Sequence, residues 1–222
     1  MPSILTVNLG RLQPIRSSKH LPTGIGKRPV DGPVEVRAPG PKHGGLGSGL
    51  LGDQISDSQH HGGDTQAVYA YAREELDGFA KALGRPLENG AFGENLTTSG
   101  LVVSDALIGE RWQIGSTVVL QVTAPRIPCG TFRAHIGKQG WLRTFTQTAL
   151  SGAYLSVVTP GVVQAGDEVT VVHRPDHGVR ASDAFRALTL QPDLLPGLLA
   201  AGADLDDETR EMAEQGRTFL IG

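Results

Sequence analysis

The chain has 222 residues, 39% of them hydrophobic but only 5% aromatic, with 30 glycines and 14 prolines. That suffices for one large domain, or for one of about 150 residues with an appendage, and it suits a β-rich body with many turns better than a helical bundle. A formal charge of −3 with no polybasic block argues against nucleic acid or an anionic membrane surface as partner, a single cysteine excludes an internal disulfide, and no apolar run reaches the roughly 18 residues of a spanning helix.

Ile4 to Leu9 reads as an opening strand. Glycine and proline then punctuate residues 10–50, with the short β-compatible Val34-Glu35-Val36 inside. Lys42 to Gly52 is glycine-rich enough to be either a mobile loop or one shaped around a ligand. Ala67-Val68-Tyr69-Ala70-Tyr71 predicts a buried strand. Leu76, Phe79, Ala80 and Leu83 follow at helical spacing over Arg73 to Leu83, with Gly84 as the stop, the one helix expected in the first 150 residues. Leu101-Val102-Val103, Glu110 to Ile114 and Thr117 to Thr123 read as strands, with Gly115-Ser116 turning the last two into a hairpin. Ala153 to Val158 and Glu168 to Val172 form another pair. Strands so closely spaced argue for a barrel or barrel-like sandwich. After Pro175 the pattern turns helical over Ser182 to Leu190, Pro192 to Ala200 and Asp206 to Gln215, with Ser182 and Asp206 as N-caps. The expected organisation is a mainly β, barrel-like domain over 1–175 and a small C-terminal three-helix extension over 180–222.

Four segments carry chemistry. Cys129 stands in Ala124-Pro125-Arg126-Ile127-Pro128-Cys129-Gly130, where the prolines end a strand, Gly130 admits close backbone approach and Arg126 favours the thiolate. The competing reading of a lone cysteine is a small inert core residue. In His60-His61-Gly62-Gly63 only one imidazole can face a shared site, and the spacing is poor for zinc; the glycines suit either an anion-binding nest or a plain turn. Phe92-Gly93-Glu94-Asn95 offers an amide with donors and an acceptor, suited to a heterocycle edge or simply to a solvated loop. Lys27 could bind phosphate or be solvated. Walker A, dinucleotide-binding and serine-hydrolase motifs are absent from the sequence.

In order, Lys27-x-Pro29-Val30, Leu51-Gly52-Asp53, His61-Gly62-Gly63, Phe92-Gly93-Glu94-Asn95-Leu96 and Arg126-Ile127-Pro128-Cys129 resemble the MOSC family, and within it the stand-alone YiiM-type branch. The resemblance covers roughly residues 3–173, and the terminal helices resemble that branch's extension. It implies a β-barrel-like fold and a molybdenum cofactor, molybdenum bound by molybdopterin, with Cys129 as metal ligand and catalytic residue. It also implies that Lys27 and Arg126 meet the cofactor's phosphate or charge, that His61, Gly62, Gly63 and Asn95 meet the pterin or the metal's ligands, and that Asp53, Gly93 and Glu94 complete the binding set. A soft metal with a dithiolene suits a thiolate.

The activity the resemblance implies is an oxidoreductase that reduces N-hydroxylated bases, amidoximes or hydroxylamines. With no cysteines for an iron–sulfur cluster and no flavin motif, electrons would come from a separate reductase. The expected partners are thus a small N-hydroxylated substrate and that reductase, with a homodimer allowed, in the cytoplasm. The alternatives are a non-catalytic carrier of the cofactor or of sulfur on Cys129, a cysteine-nucleophile transferase with His61 as base, and a barrel that has lost its cofactor.

Overall fold

The computed structural model describes residues 1–14 and 22–221; residues 15–21, within the glycine- and proline-punctuated stretch, and residue 222 lie outside the described residues. In chain order the strands are β1 (Ser3–Leu9), β2 (Arg28–Pro29), β3 (Val34–Val36), β4 (Val68–Ala72), β5 (Leu96–Ser99), β6 (Arg111–Ile114), β7 (Val118–Pro125), β8 (Ala153–Thr159), β9 (Gly161–Val163) and β10 (Val169–His173). Eight of them form one sheet in the order β10-β6-β7-β8-β4-β5-β1-β2, and β3 pairs with β9. Within the large sheet β4 and β5 run parallel and the other pairs antiparallel. A parallel pair needs a crossover. Helix α1 (Arg73–Leu83) supplies it, burying Leu76 and Phe79 and ending at Gly84, which takes a left-handed φ of 67° and donates its N–H to the Ala80 and Lys81 carbonyls.

The sheet is mainly β and barrel-like, but its ladder does not close. The edge strand β10 meets the start of β1, the strand next to the opposite edge, through the isolated Ser3–Glu168 bridge and through N–H bonds from Ile4 to Asp167 O and from Val169 to Pro2 O, both 2.9 Å. Burial alternates along β7, with Val118, Leu120 and Val122 inside and Val119 and Gln121 half exposed, the period expected of a strand with one face on a core. Helices α4 (Ala181–Thr189), α5 (Leu195–Leu198) and α6 (Asp207–Gln215) follow the sheet. Ala184 and Leu188 of α4, with Leu198 and Met212, belong to the same buried cluster as Leu120 and Val122.

Four expectations need correction. Leu101-Val102-Val103 is not a strand: the chain bends there and enters a 3-10 turn, Val103–Asp105, while the strand lies earlier, at β5. Two further helices precede residue 150, α2 (Gly130–Ile136) and α3 (Trp141–Thr148). They form because Phe132 and Ile136, and Trp141 and Phe145, sit four apart on faces that meet a buried aromatic cluster. Phe92 is its centre, with the rings of Tyr71, Phe79, Phe132 and Trp141 edge-on at centroid distances of 5.1–5.5 Å. Each such pair contributes about 0.5–1.5 kcal/mol beyond burial. Ser182 is not an N-cap; it is buried within α4, donating to Asp105 Oδ1 at 3.2 Å, and Arg180 holds the cap position. The segment beginning at Pro192 is a 3-10 turn leading into the short α5 rather than one continuous helix. Asp206 does cap α6, accepting from Thr209 N–H at 3.0 Å.

Candidate functional site

Cys129 lies where β7 has given way to α2, in the N-cap position of that helix. Arg126, just past the strand end, is buried, and its guanidinium stacks on the Phe132 ring at 3.7 Å. Among the described residues no carboxylate comes within ion-pair distance of Arg126, and its Nη1 is buried without a hydrogen-bond partner. A stacked guanidinium without a carboxylate partner is a strong fixed positive charge in a medium that screens it poorly.

Burial works against a thiolate at Cys129. The His61 side-chain hydrogen bond, the Arg126 charge and the Phe132 backbone N–H outweigh it and lower the thiol from an ordinary 9.0 to about 6. Of the adjacent histidines it is therefore His61 that faces the site. His60 is exposed and bonds Asp57 through Nδ1 at 3.0 Å. Gly62 and Gly63 hold this turn against the glycine-rich loop: a Cβ on Gly62, at φ 84°, would stand 2.7 Å from Gly47 O, and Gly63 N–H donates to that same carbonyl at 2.9 Å. The glycine-rich stretch is thus the support on which the His61 turn rests, and the Gly63 N–H is not free to hold an anion.

A second group of expected residues meets around Asp53. Its carboxylate, 1% exposed, takes Lys27 Nζ at 2.5 Å to both oxygens, Gly10 N–H at 2.7 Å, Ser48 Oγ at 2.8 Å and Asn95 Nδ2 at 2.9 Å. Lys27 is therefore neutralised locally. Asn95 is spent as well: its Oδ1 accepts Tyr69 N–H at 3.1 Å, its Nδ2 also reaches Asn8 O, and its backbone joins β4 to β1 through Tyr69 and Asn8. Glu94 turns inward, fully buried, accepting from Gly90 N–H, Phe92 N–H and Thr97 Oγ1. Burial pushes its carboxyl up and those bonds oppose the rise.

Two cavities meet at the thiol. The inner one, about 120 Å³, is lined by Cys129, Arg126, His61, Gly62, Lys27, Asp53, Gly93 and Asn95. Glu94 and Gly63 line neither cavity; they shape the turns from behind. The outer one, about 480 Å³, lies between the Pro125–Arg133 segment and the chain end at Phe219, Leu220 and Ile221. Asp57, His61, Gln66, Cys129, Thr131 and Tyr154 belong to both. Sequence reasoning missed Ser48, Gln66, Tyr69 and Tyr154; the polar type at 66, next to a buried strand, was the only local signal for any of them. Among the described residues no three His, Cys, Asp or Glu side chains cluster to hold a metal ion. Nor is any described helix long and apolar enough to cross a membrane.

Residues 57–170, from the His61 turn through Cys129 to β10, match the family model described as the MOSC domain. The chain belongs to the MOSC family. It is 33% identical to YflK of Bacillus subtilis over 83% of this chain and 79% of that protein. It is 29% identical to a protein named reductase from Gibberella moniliformis over 78% of this chain, which is only 29% of that longer protein. Among solved structures, YiiM from Geobacillus stearothermophilus superposes with a TM-score of 0.76 at 25% identity, covering 97% of this chain and 99% of that one. This is a YiiM-type MOSC protein.

Proposed function

We propose that this MOSC protein is a molybdenum-cofactor-dependent reductase of N-hydroxylated compounds, with the cofactor bound at the two cavities that meet at Cys129 and Cys129 as the protein's one ligand to the metal. The observation that carries the reading is the Cys129 thiolate, held by His61 and Arg126 at the seam of two cavities. A lone thiolate does not hold a metal ion by itself, but it suits a soft metal that arrives with its own sulfur ligands. The unpartnered Arg126 Nη1 supports the fit, since a buried guanidinium donor calls for an anionic or carbonyl-bearing group. When bound, such a cofactor supplies two-electron removal of oxygen from an N–O bond, R–NHOH + 2 e⁻ + 2 H⁺ giving R–NH₂ + H₂O.

The chain's own groups then have distinct tasks. Cys129 anchors. Arg126 balances anionic charge and is kept in place by Phe132. His61 turns a ring N–H toward the sulfur, where a proton is consumed in the reduction. The Asp53 hub fixes the floor by tying residues 10, 27, 48 and 95 together. The outer cavity, with its apolar wall from the chain end, leaves room for the substrate's body. Electrons would come from a separate reductase, and the cytoplasm is the fitting compartment for an unpaired reactive thiol.

The test is molybdenum and pterin content of protein purified without oxygen from a host able to make the cofactor, followed by hydroxylamine reduction with an artificial donor. Near-stoichiometric metal in the wild type, lost in Cys129→Ser, supports the reading. Full metal retention in Cys129→Ser removes the ligand assignment. The His61–Cys129 contact also favours a second reading, a nucleophilic transferase, which requires turnover by metal-free protein.

A further inference from the structure

Gln66 closes the 3-10 turn Asp64–Gln66 between the His61 turn and β4. Its backbone is fixed on every side: Gln66 N–H donates to Gly63 O at 3.0 Å, Thr65 O accepts Thr123 Oγ1 at 2.5 Å, and Ala67 O accepts Gly49 N–H at 2.7 Å. The side chain is not so provided. Its Oε1 is buried with no hydrogen-bond partner, although the residue lines both cavities beside Cys129 and His61. A buried amide oxygen without a donor is costly, and a satisfied apolar replacement would be cheaper. A rigid turn that brings this half-buried side chain to the meeting point of two cavities, with its oxygen covered and unpartnered while they are empty, has the form of a prepared acceptor that a small rotation of the amide presents.

We infer that Gln66 is a positioning residue whose Oε1 accepts an N–H from the ligand lying against Cys129. The substrate class that fits is one bearing an N–H next to the reacting N–O group, as in amidoximes and N-hydroxylated amines, in preference to tertiary N-oxides, which have none. The identity of that ligand rests on the reductase reading; the orphaned acceptor does not. An N–H on the cofactor's own ring is the same chemistry from the other source. Gln66 reaches the outer cavity as well as the inner, and this favours the substrate.

The experiment compares wild type, Gln66→Leu and Gln66→Glu, purified as loaded protein, by metal and pterin content and by calorimetric affinity for benzamidoxime and for pyridine N-oxide. Glutamate keeps an acceptor at the same reach and leucine removes it. With the substrate as donor, Gln66→Leu keeps its cofactor and loses roughly tenfold in benzamidoxime affinity, the worth of one hydrogen bond. Pyridine N-oxide is then unaffected, and Gln66→Glu recovers the loss. With the cofactor as donor, metal and pterin content fall in Gln66→Leu and return in Gln66→Glu, which also supports the acceptor role. Unchanged content and unchanged affinity in Gln66→Leu overturn the inference, as does an equal loss for both probes or a loss that glutamate does not recover. A wild type without molybdenum sinks the reductase reading alone: benzamidoxime binding to the three metal-free proteins still decides on Gln66, and no binding by the wild type counts against it.

Discussion

The thiolate at Cys129 makes a quantitative prediction. With the thiol at about 6 rather than 9.0, roughly 90% of it is ionised at pH 7 instead of about 1%. A naive expectation is a ninetyfold faster reaction with an aromatic disulfide probe. Intrinsic nucleophilicity falls with pKa, however, and a Brønsted coefficient of about 0.45 over three units removes roughly twentyfold per thiolate. The net gain at pH 7 is then only about fourfold, so the rate itself discriminates poorly and the pH profile discriminates well. Cofactor-free protein from a host lacking pterin synthesis should react with an inflection near pH 6. His61→Ala and Arg126→Met should each move that inflection upward, because each removes one of the groups that outweigh burial. A wild-type inflection above pH 8 would refute the reasoning. The same shift has a sign for stability: a depressed folded-state value means the thiolate supports the fold above about pH 9, and that support is lost as pH falls through about 6.

Asp53→Asn should cost about 3–5 kcal/mol, because Lys27, 9% exposed, is left without its counter-charge; with a urea slope of about 3 kcal/mol/M the midpoint falls by over 1 M. Asp53→Asn with Lys27→Met should recover part of this, and a double variant no better than the single would show that the ion pair is not the cause. Glu75, buried with Oε1 on Ser104 N–H and Oε2 unpartnered, is raised by burial from 4.5 to about 7. Its protonated form is the one the fold accepts, so stability is whole below about pH 4.5 and declines as pH rises through 7, by about 3 kcal/mol in all. Glu75→Gln should flatten the melting temperature between pH 5 and 8, and an unchanged pH slope would count against that assignment.

What local chemistry dictates was legible in the chain. The α1 periodicity with its Gly84 stop, the β6–β7 hairpin and the apolar strand before α1 all report on neighbours within a few residues. The positions of Cys129, His61 and Arg126 were also legible, because their segments are distinctive when read in order. The rest was decided at long range. Leu96-Thr97-Thr98-Ser99 has no alternation to mark a strand, yet it is one because β4 and β1 flank it on both sides. The helices α2 and α3 exist because their aromatic faces find Phe92, about forty or more residues away in sequence. At the site, Lys27 and Asn95 looked like free ligands until Asp53 claimed both, and which histidine faces the thiol followed from the docking of the Gly62 turn on Gly47. Sequence alone determined which reactive groups this protein has; only tertiary structure decided which stayed unpaired, because hydrogen-bond and ion-pair partners are assigned by packing rather than by proximity along the chain.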